Sequence, residues 1–202
     1  MLVFGDLFAV TFYNRHALWS EVLRVLPPAL IGVLIGFFLF RLLPAGTFAP
    51  IIGWTILVLV LLQALQTANR LSSSQAESLT VRSWERTLFF WSLGMMAGVT
   101  TMLANASGPV MTIYLLAAGL AKYEFMGTSS WVFCLLNLCK LPFSYALGLI
   151  NGHSLTFNLL LLPAVAFGAL LGKWLLTIIP QKWFERILLL SAALAALRLI
   201  WR

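Results

Sequence analysis

The chain has 202 residues, 61% of them hydrophobic and 9% charged, with a formal net charge of +7 and a mean hydropathy of +0.98. Soluble domains hold roughly 45–50% apolar residues, so the composition excludes an ordinary soluble enzyme or binding module. It points instead to an all-α, polytopic membrane helical bundle. The alternation expected of a membrane β-barrel is missing from the sequence, and at roughly 20 residues per span about six or seven spans fit.

Taken in chain order, helices are predicted over 1–13 (a partial span), 21–43, 47–66, 84–101, 109–121, 125–150, 154–178 and 183–201. Asp6, Arg15 and His16 interrupt the first segment and no charged region precedes it, so it does not read as a signal peptide. The longest polar stretch is 67–86. Segment 109–121 is about 20 Å long at 1.5 Å per residue, short for a span. With the end of helix 84–101 it predicts a broken or re-entrant helix around 100–121.

Residues 26–48 align without gaps to 162–184 at a constant offset of 136: Pro27 with Pro163, Gly32 with Gly168, Gly36 with Gly172, Pro44 with Pro180, Phe48 with Phe184. The glycines form two GxxxG pairs, which let helix backbones approach closely. The alternative is that glycine is simply common in spans. The alignment divides the chain into a first-repeat remnant over 1–66 (a partial helix plus two spans), a cytoplasmic linker over 67–83 and a second repeat over 84–202. Arg15, Arg24, Arg70, Arg82, Arg86, Lys122, Lys173, Lys182 and Arg186 all fall on one side if 84–121 returns to the side where it began. That side is cytoplasmic by the positive-inside rule, and the two repeats are then inverted, as in many secondary transporters. A single broken crossing by 84–121 would remove this conclusion. Basic residues scattered over membrane-flanking loops suit an anionic inner leaflet, not nucleic acid.

Four clusters stand out. Thr100, Thr101, Asn105, Ser107, Gly108 and Pro109 mark the helix break. With Pro109 in a first turn, free N–H groups and a positive dipole end would face the break and suit an anion. An ordinary kink, its hydroxyls bonded to their own carbonyls, is the alternative. Gly127, Thr128, Ser129, Ser130 and Trp131 form the second cluster, whose small hydroxylated residues either line a path or cap and glue helices. Asn137 and Lys140 share one helix face at i, i+3. Lys140, about ten residues from its helix end, has three readings: contact with an anionic substrate, a structural ion pair with Asp6, or snorkelling. Asp6 is the chain's one aspartate, and is both the ion-pair candidate and a candidate coupling group. The tryptophans near helix ends, Trp19, Trp54, Trp84, Trp91, Trp174, Trp183 and Trp201, read as an aromatic belt.

No catalytic triad, phosphate-cradling loop or paired carboxylates are present, so an enzyme is not expected. No cofactor is expected and no metal site: His16 and His153 stand alone. Cys134 and Cys139 are expected as free buried thiols, since residues five apart on a helix do not face each other.

The stretches GMMAGVTTMLANASGPVMTIYLLAAGL (94–120) and EFMGTSSWVFCLLNLCKLPFSYALGLI (124–150) resemble the second half of the sulfite exporter TauE/SafE family of permeases. GDLFAVTFYNRHALW (5–19) is similar to the family's first-repeat helix end. The resemblance covers essentially the whole chain and is carried mostly by Asn105–Pro109 and Gly127–Ser129. It implies a bacterial inner-membrane, multi-pass permease for small anions such as sulfite, sulfonates and related organosulfur compounds. Its partners would be the small anionic substrate, the lipid bilayer and, in one reading, further copies of the chain. The family's first-repeat counterpart of the Gly-rich segment would fall upstream of Met1. Two expectations follow: a truncated product, or a short form that completes its site by dimerising. The competing class is a non-transporting membrane subunit or scaffold that needs a partner protomer.

Overall fold

The computed structural model describes residues 2–42, 50, 52–61, 83–147 and 160–201. Among these every regular element is helical: α1 (Leu2–Tyr13), a 3-10 turn (Asn14–His16), α2 (Trp19–Leu42), α3 (Ile52–Leu61), α4 (Ser83–Ala104), α5 (Ser107–Ala117), α6 (Lys122–Ala146), α7 (Leu162–Ile178) and α8 (Gln181–Ile200). The fold is all-α. The linker expected at 67–83, apart from Ser83, lies outside the described residues, as do 62–66, 148–150 and 154–159 of the predicted helices.

Several boundaries differ from the sequence expectation: α2 starts at Trp19, α5 runs from Ser107 to Ala117, α8 starts at Gln181, and two further shifts have identifiable reasons. Helix α4 runs three residues past 101. The Thr100 hydroxyl bonds back to the carbonyls of Met96 and Ala97 at 2.9 and 3.1 Å, which keeps it compatible with a helix interior. Helix α6 begins at Lys122 instead of 125, because Glu124 Oε2 accepts the N–H of Ala121 at 3.1 Å, the return half of a capping box.

Polarity is distributed as in a membrane protein. Helix α2 and most of α4 are long and apolar enough to cross a bilayer. Leu23, Phe38, Leu88, Phe167, Leu170 and Leu194 are exposed, whereas Thr100, Thr101, Ser107, Thr112, Thr128, Ser129, Ser130, Asn137 and Lys140 are buried. Buried polar groups together with large exposed apolar faces are the informative departures from a soluble surface.

The chain forms two compact units that interleave in sequence. The first takes in Met1–Leu26 and Leu120–Phe184, the second Pro27–Gly119 and Glu185–Arg202. In the first, α1 packs against α6 and α7. Asp6 meets Asn137 while Tyr13, seven residues on, meets Gly127, so α1 and α6 run antiparallel. A Cβ on Gly127 would lie 2.6–2.7 Å from backbone atoms of Tyr13, His16 and Ala17; glycine is what lets the corner close on α6. Thr128 Oγ1 accepts the Leu18 N–H beside it at 3.0 Å. Lys122 Nζ donates to the carbonyls of Leu176 and Ile179 at 2.9 and 2.8 Å, placing a cation where the end of α7 leaves orphan acceptors.

In the second unit α2 crosses α4 with the two backbones in contact. A Cβ on Gly32 would run onto the Met95 carbonyl and one on Gly98 onto the Ala29 carbonyl, while Gly36 faces Val99 and Met102. Gly53 of α3 faces the backbone of α8 at Ala196 and Ile200. Helix α5 folds back along α4, the Tyr114 ring meeting Phe90 edge-on at 4.9 Å. Val110, Met111, Ile113, Tyr114 and Leu115 are all at most 1% exposed. An eleven-residue helix is too short to span by itself, and this near-total enclosure is the condition for a helix end at membrane depth.

Gly168 and Gly172, the repeat mates of Gly32 and Gly36, have nothing within 4 Å of a would-be Cβ.

Candidate functional site

Each unit holds one polar cluster of its own. In the second, it is the break between α4 and α5. Asn105 takes φ 53°, the left-handed region that asparagine tolerates better than most residues. Its N–H bonds to the Thr101 carbonyl and that of Ala106 to the Thr100 carbonyl, both at 3.1 Å. The left-handed cap thus satisfies carbonyls that the end of α4 would leave open. Two residues later α5 starts at Ser107, with Pro109 in its first turn, where a missing N–H is harmless. The N–H groups of Ser107 and Gly108 have no intrahelical acceptor. Thr100, Thr101 and Ser107 are buried, Asn105 and Gly108 exposed, and a Cβ on Gly108 would touch nothing within 4 Å. The break therefore presents a positive helix end beside open space, an arrangement that attracts anions.

Backbone and amide at Asn105 are separable. Asn105→Gly is expected to leave thermal stability in detergent within a few tenths of a kcal/mol. Asn105→Val should cost about 1–2 kcal/mol, the left-handed penalty of a residue with a branched Cβ. Equal melting points for the two variants would show that the left-handed cap does not hold the break.

In the first unit the cluster lies between α1 and α6. Asn137 Nδ2 donates to Asp6 Oδ2 at 2.6 Å. Lys140, one turn further along α6, is within electrostatic reach of the same carboxylate. Asn137 and Lys140 are 7% and 8% exposed, and Asp6 is half-buried. A buried ammonium at this depth marks a functional position by default. Closer to the corner, the hydroxyls of Ser129 and Ser130 both donate to the Met126 carbonyl, at 3.1 and 2.5 Å, and Thr128 holds Leu18 as described. Sequence reasoning missed Tyr13, and placed Trp131 only as the end of the Gly127–Ser130 cluster. Tyr13 Oη and Trp131 Nε1 are buried with no hydrogen-bond partner among the described atoms. Tyr13 is two turns from Asp6 on α1, a spacing that returns to the same face, and this was readable in the sequence. Trp131 stacks against Trp19 at 5.0 Å. The cysteines are free thiols, but only Cys134 is buried; Cys139 is exposed, because on α6 the side towards α1 carries Cys134 and Asn137 and a residue five positions from Cys134 points elsewhere.

The family profile described as Sulfite exporter TauE/SafE matches residues 1–199, nearly the whole chain and both polar clusters. The chain belongs to the sulfite exporter TauE/SafE family. No curated protein and no solved structure matched it. Membership makes this a membrane transport protein of the permease class, with the bilayer as its surroundings and a small anion as its class of cargo. In this TauE/SafE chain, the buried polar groups of α4–α5 and of α1–α6 are the candidates for contact with that cargo.

Proposed function

We propose that this TauE/SafE chain is a multi-pass permease of a bacterial inner membrane that carries small organosulfur anions, sulfite and sulfonates among them, and performs no catalysis. The observation that carries the proposal is the buried Asn137–Lys140 pair. An amide donor and an ammonium lie one turn apart on α6 and less than a tenth exposed. Buried charges persist only when paired or hydrogen-bonded, and charge-assisted donors to an oxyanion are the stronger kind. The break in the other unit offers donors of its own, the N–H groups of Ser107 and Gly108, beside the side chains of Thr101, Asn105 and Ser107, while Thr100 holds the end of α4. Thr128 and Ser129 support the corner next to the α1–α6 cluster, Thr128 through the Leu18 N–H and Ser129 through the Met126 carbonyl. The two sequence repeats at offset 136 supply the inverted halves of such a transporter.

The test is thermal unfolding of the purified chain with sulfite, methanesulfonate and chloride. A ligand that binds only the folded state stabilises it, by about 2.7 kcal/mol at a hundred times its Kd. Stabilisation by the sulfur oxyanions but not by chloride is expected. Equal responses to all three would reject an organosulfur site, and no response from a folded protein would favour the scaffold reading.

A further inference from the structure

The donors assigned to the substrate are already engaged by a carboxylate. Asn137 Nδ2 is bonded to Asp6 at 2.6 Å, and Lys140 acts on the same side chain. A carboxylate and a sulfonate or sulfite group present similar oxygen acceptors, so donors placed for one are placed for the other. The carboxylate comes from α1 and the donors from α6, so the contact can open without dismantling either helix. Resting on the permease reading above, we infer that Asp6 is a built-in competitor of the substrate: the anion takes over Asn137 Nδ2 and the Lys140 ammonium, and Asp6 takes up one proton as it gives them up.

The charge balance supports this. Two anions facing one buried ammonium repel each other in a medium that screens weakly, so one of them is neutralised or leaves. A proton moving from solvent onto the Asp6 carboxylate, as one monoanion arrives, adds no net charge to the site. Neutral Asp6 keeps an acceptor oxygen and gains an O–H donor. Below neutral pH, where the Lys140 ammonium keeps its proton, the groups around Asp6 leave it as the titrating partner. From α6 come Asn137, Lys140 and, within electrostatic reach, the Cys134 thiol. From α7, Val165 faces Gly5, and Lys173 lies over the Phe12 ring at 4.5 Å, six residues along α1. The amino group at the chain start acts on Asp6 more weakly. Arg15 and His16 lie in the corner beyond the far end of α1, with His16 against Tyr123. Glu21, past the corner, is bonded to Arg24. Among the described residues, no second carboxylate is among the groups around Asp6.

The experiment is calorimetric titration of the whole purified chain with methanesulfonate. This anion stays singly charged from mildly acidic to mildly alkaline pH, so any pH dependence belongs to the protein. Two buffers of different ionisation enthalpy count the protons. The wild type is expected to bind more tightly as pH falls, by up to about tenfold per pH unit, and to take up close to one proton per anion. Below neutral pH, Asp6→Asn is expected to bind with the wild type's low-pH affinity throughout, with no proton uptake. Binding by the wild type without proton uptake overturns the competition and leaves the permease reading standing, and this result needs no variant to fold. A pH slope below neutral that survives in Asp6→Asn also overturns it. Absence of binding in both proteins at every pH overturns the inference and the permease reading together.

Discussion

Gly98→Ala is expected to leave little folded protein. The added methyl would run onto the Ala29 carbonyl and lie 2.8 Å from the Val33 nitrogen. Both are main-chain atoms inside a helix, so no side chain can rotate aside, and relief requires the whole of α2 to withdraw. Overpacking a well-filled core costs typically 1–3 kcal/mol and occasionally more, and a backbone collision belongs at the upper end or beyond. Against a stability of order 5–15 kcal/mol, about 3 kcal/mol or more appears as poor yield and a melting point lowered by several degrees. Gly32→Ala should do the same, and the two should not add, since both report one crossing. Gly168→Ala is the control: its methyl meets nothing within 4 Å, and alanine favours a helix by roughly 0.5–1 kcal/mol over glycine. A Gly98→Ala protein that melts with the wild type would refute the close crossing of α2 and α4.

Lys140→Met is expected to have two effects that a second substitution separates. Removing the ammonium deprives a bound anion of a charged donor, worth about 1.5–3 kcal/mol, or roughly ten- to hundredfold in affinity. It also leaves the half-buried Asp6 carboxylate without a neighbouring cation, at a cost in stability below the roughly 3–5 kcal/mol of a fully buried pair. The double variant Asp6→Asn, Lys140→Met should recover most of the stability and none of the binding. Methanesulfonate titration and thermal unfolding on the three variants decide it. If the double variant regains affinity as well as stability, Lys140 serves the fold and not the substrate.

Much of this architecture is legible in the sequence where the cause is local. The interruption at Asn105–Pro109 is written in residues that end one helix and begin the next, and the structure ends α4 at Ala104 and opens α5 at Ser107. The α6 start was missed only because Glu124 caps backwards. What is not legible depends on a partner far along the chain. Gly127 reads as one of a run of small residues; its task is set by backbone atoms of Tyr13 and His16, more than a hundred positions away. Charge alone points Asp6 at Lys140, whereas the hydrogen bond goes to Asn137, a choice made by the register of α1 on α6. The repeat gives the same lesson: Gly32/Gly36 and Gly168/Gly172 are equivalent as sequence, yet only the first pair is met by another backbone.

The crossing of α2 and α4 also says where this unit can and cannot bend. Helices that touch main chain to main chain through Gly32, Gly36 and Gly98 have no layer of side chains to act as a bearing, so they cannot slide past each other by a fraction of a turn. The crossing is a rigid strut. Rotation in this part of the chain is left to residues whose backbone already sits outside the right-handed helical well, and these flank α5 on both sides: Asn105 at φ 53° and Gly119 at φ 78°. The short enclosed helix is therefore bounded at both ends by left-handed backbone, so its axis is set independently of the helix before it and the chain after it.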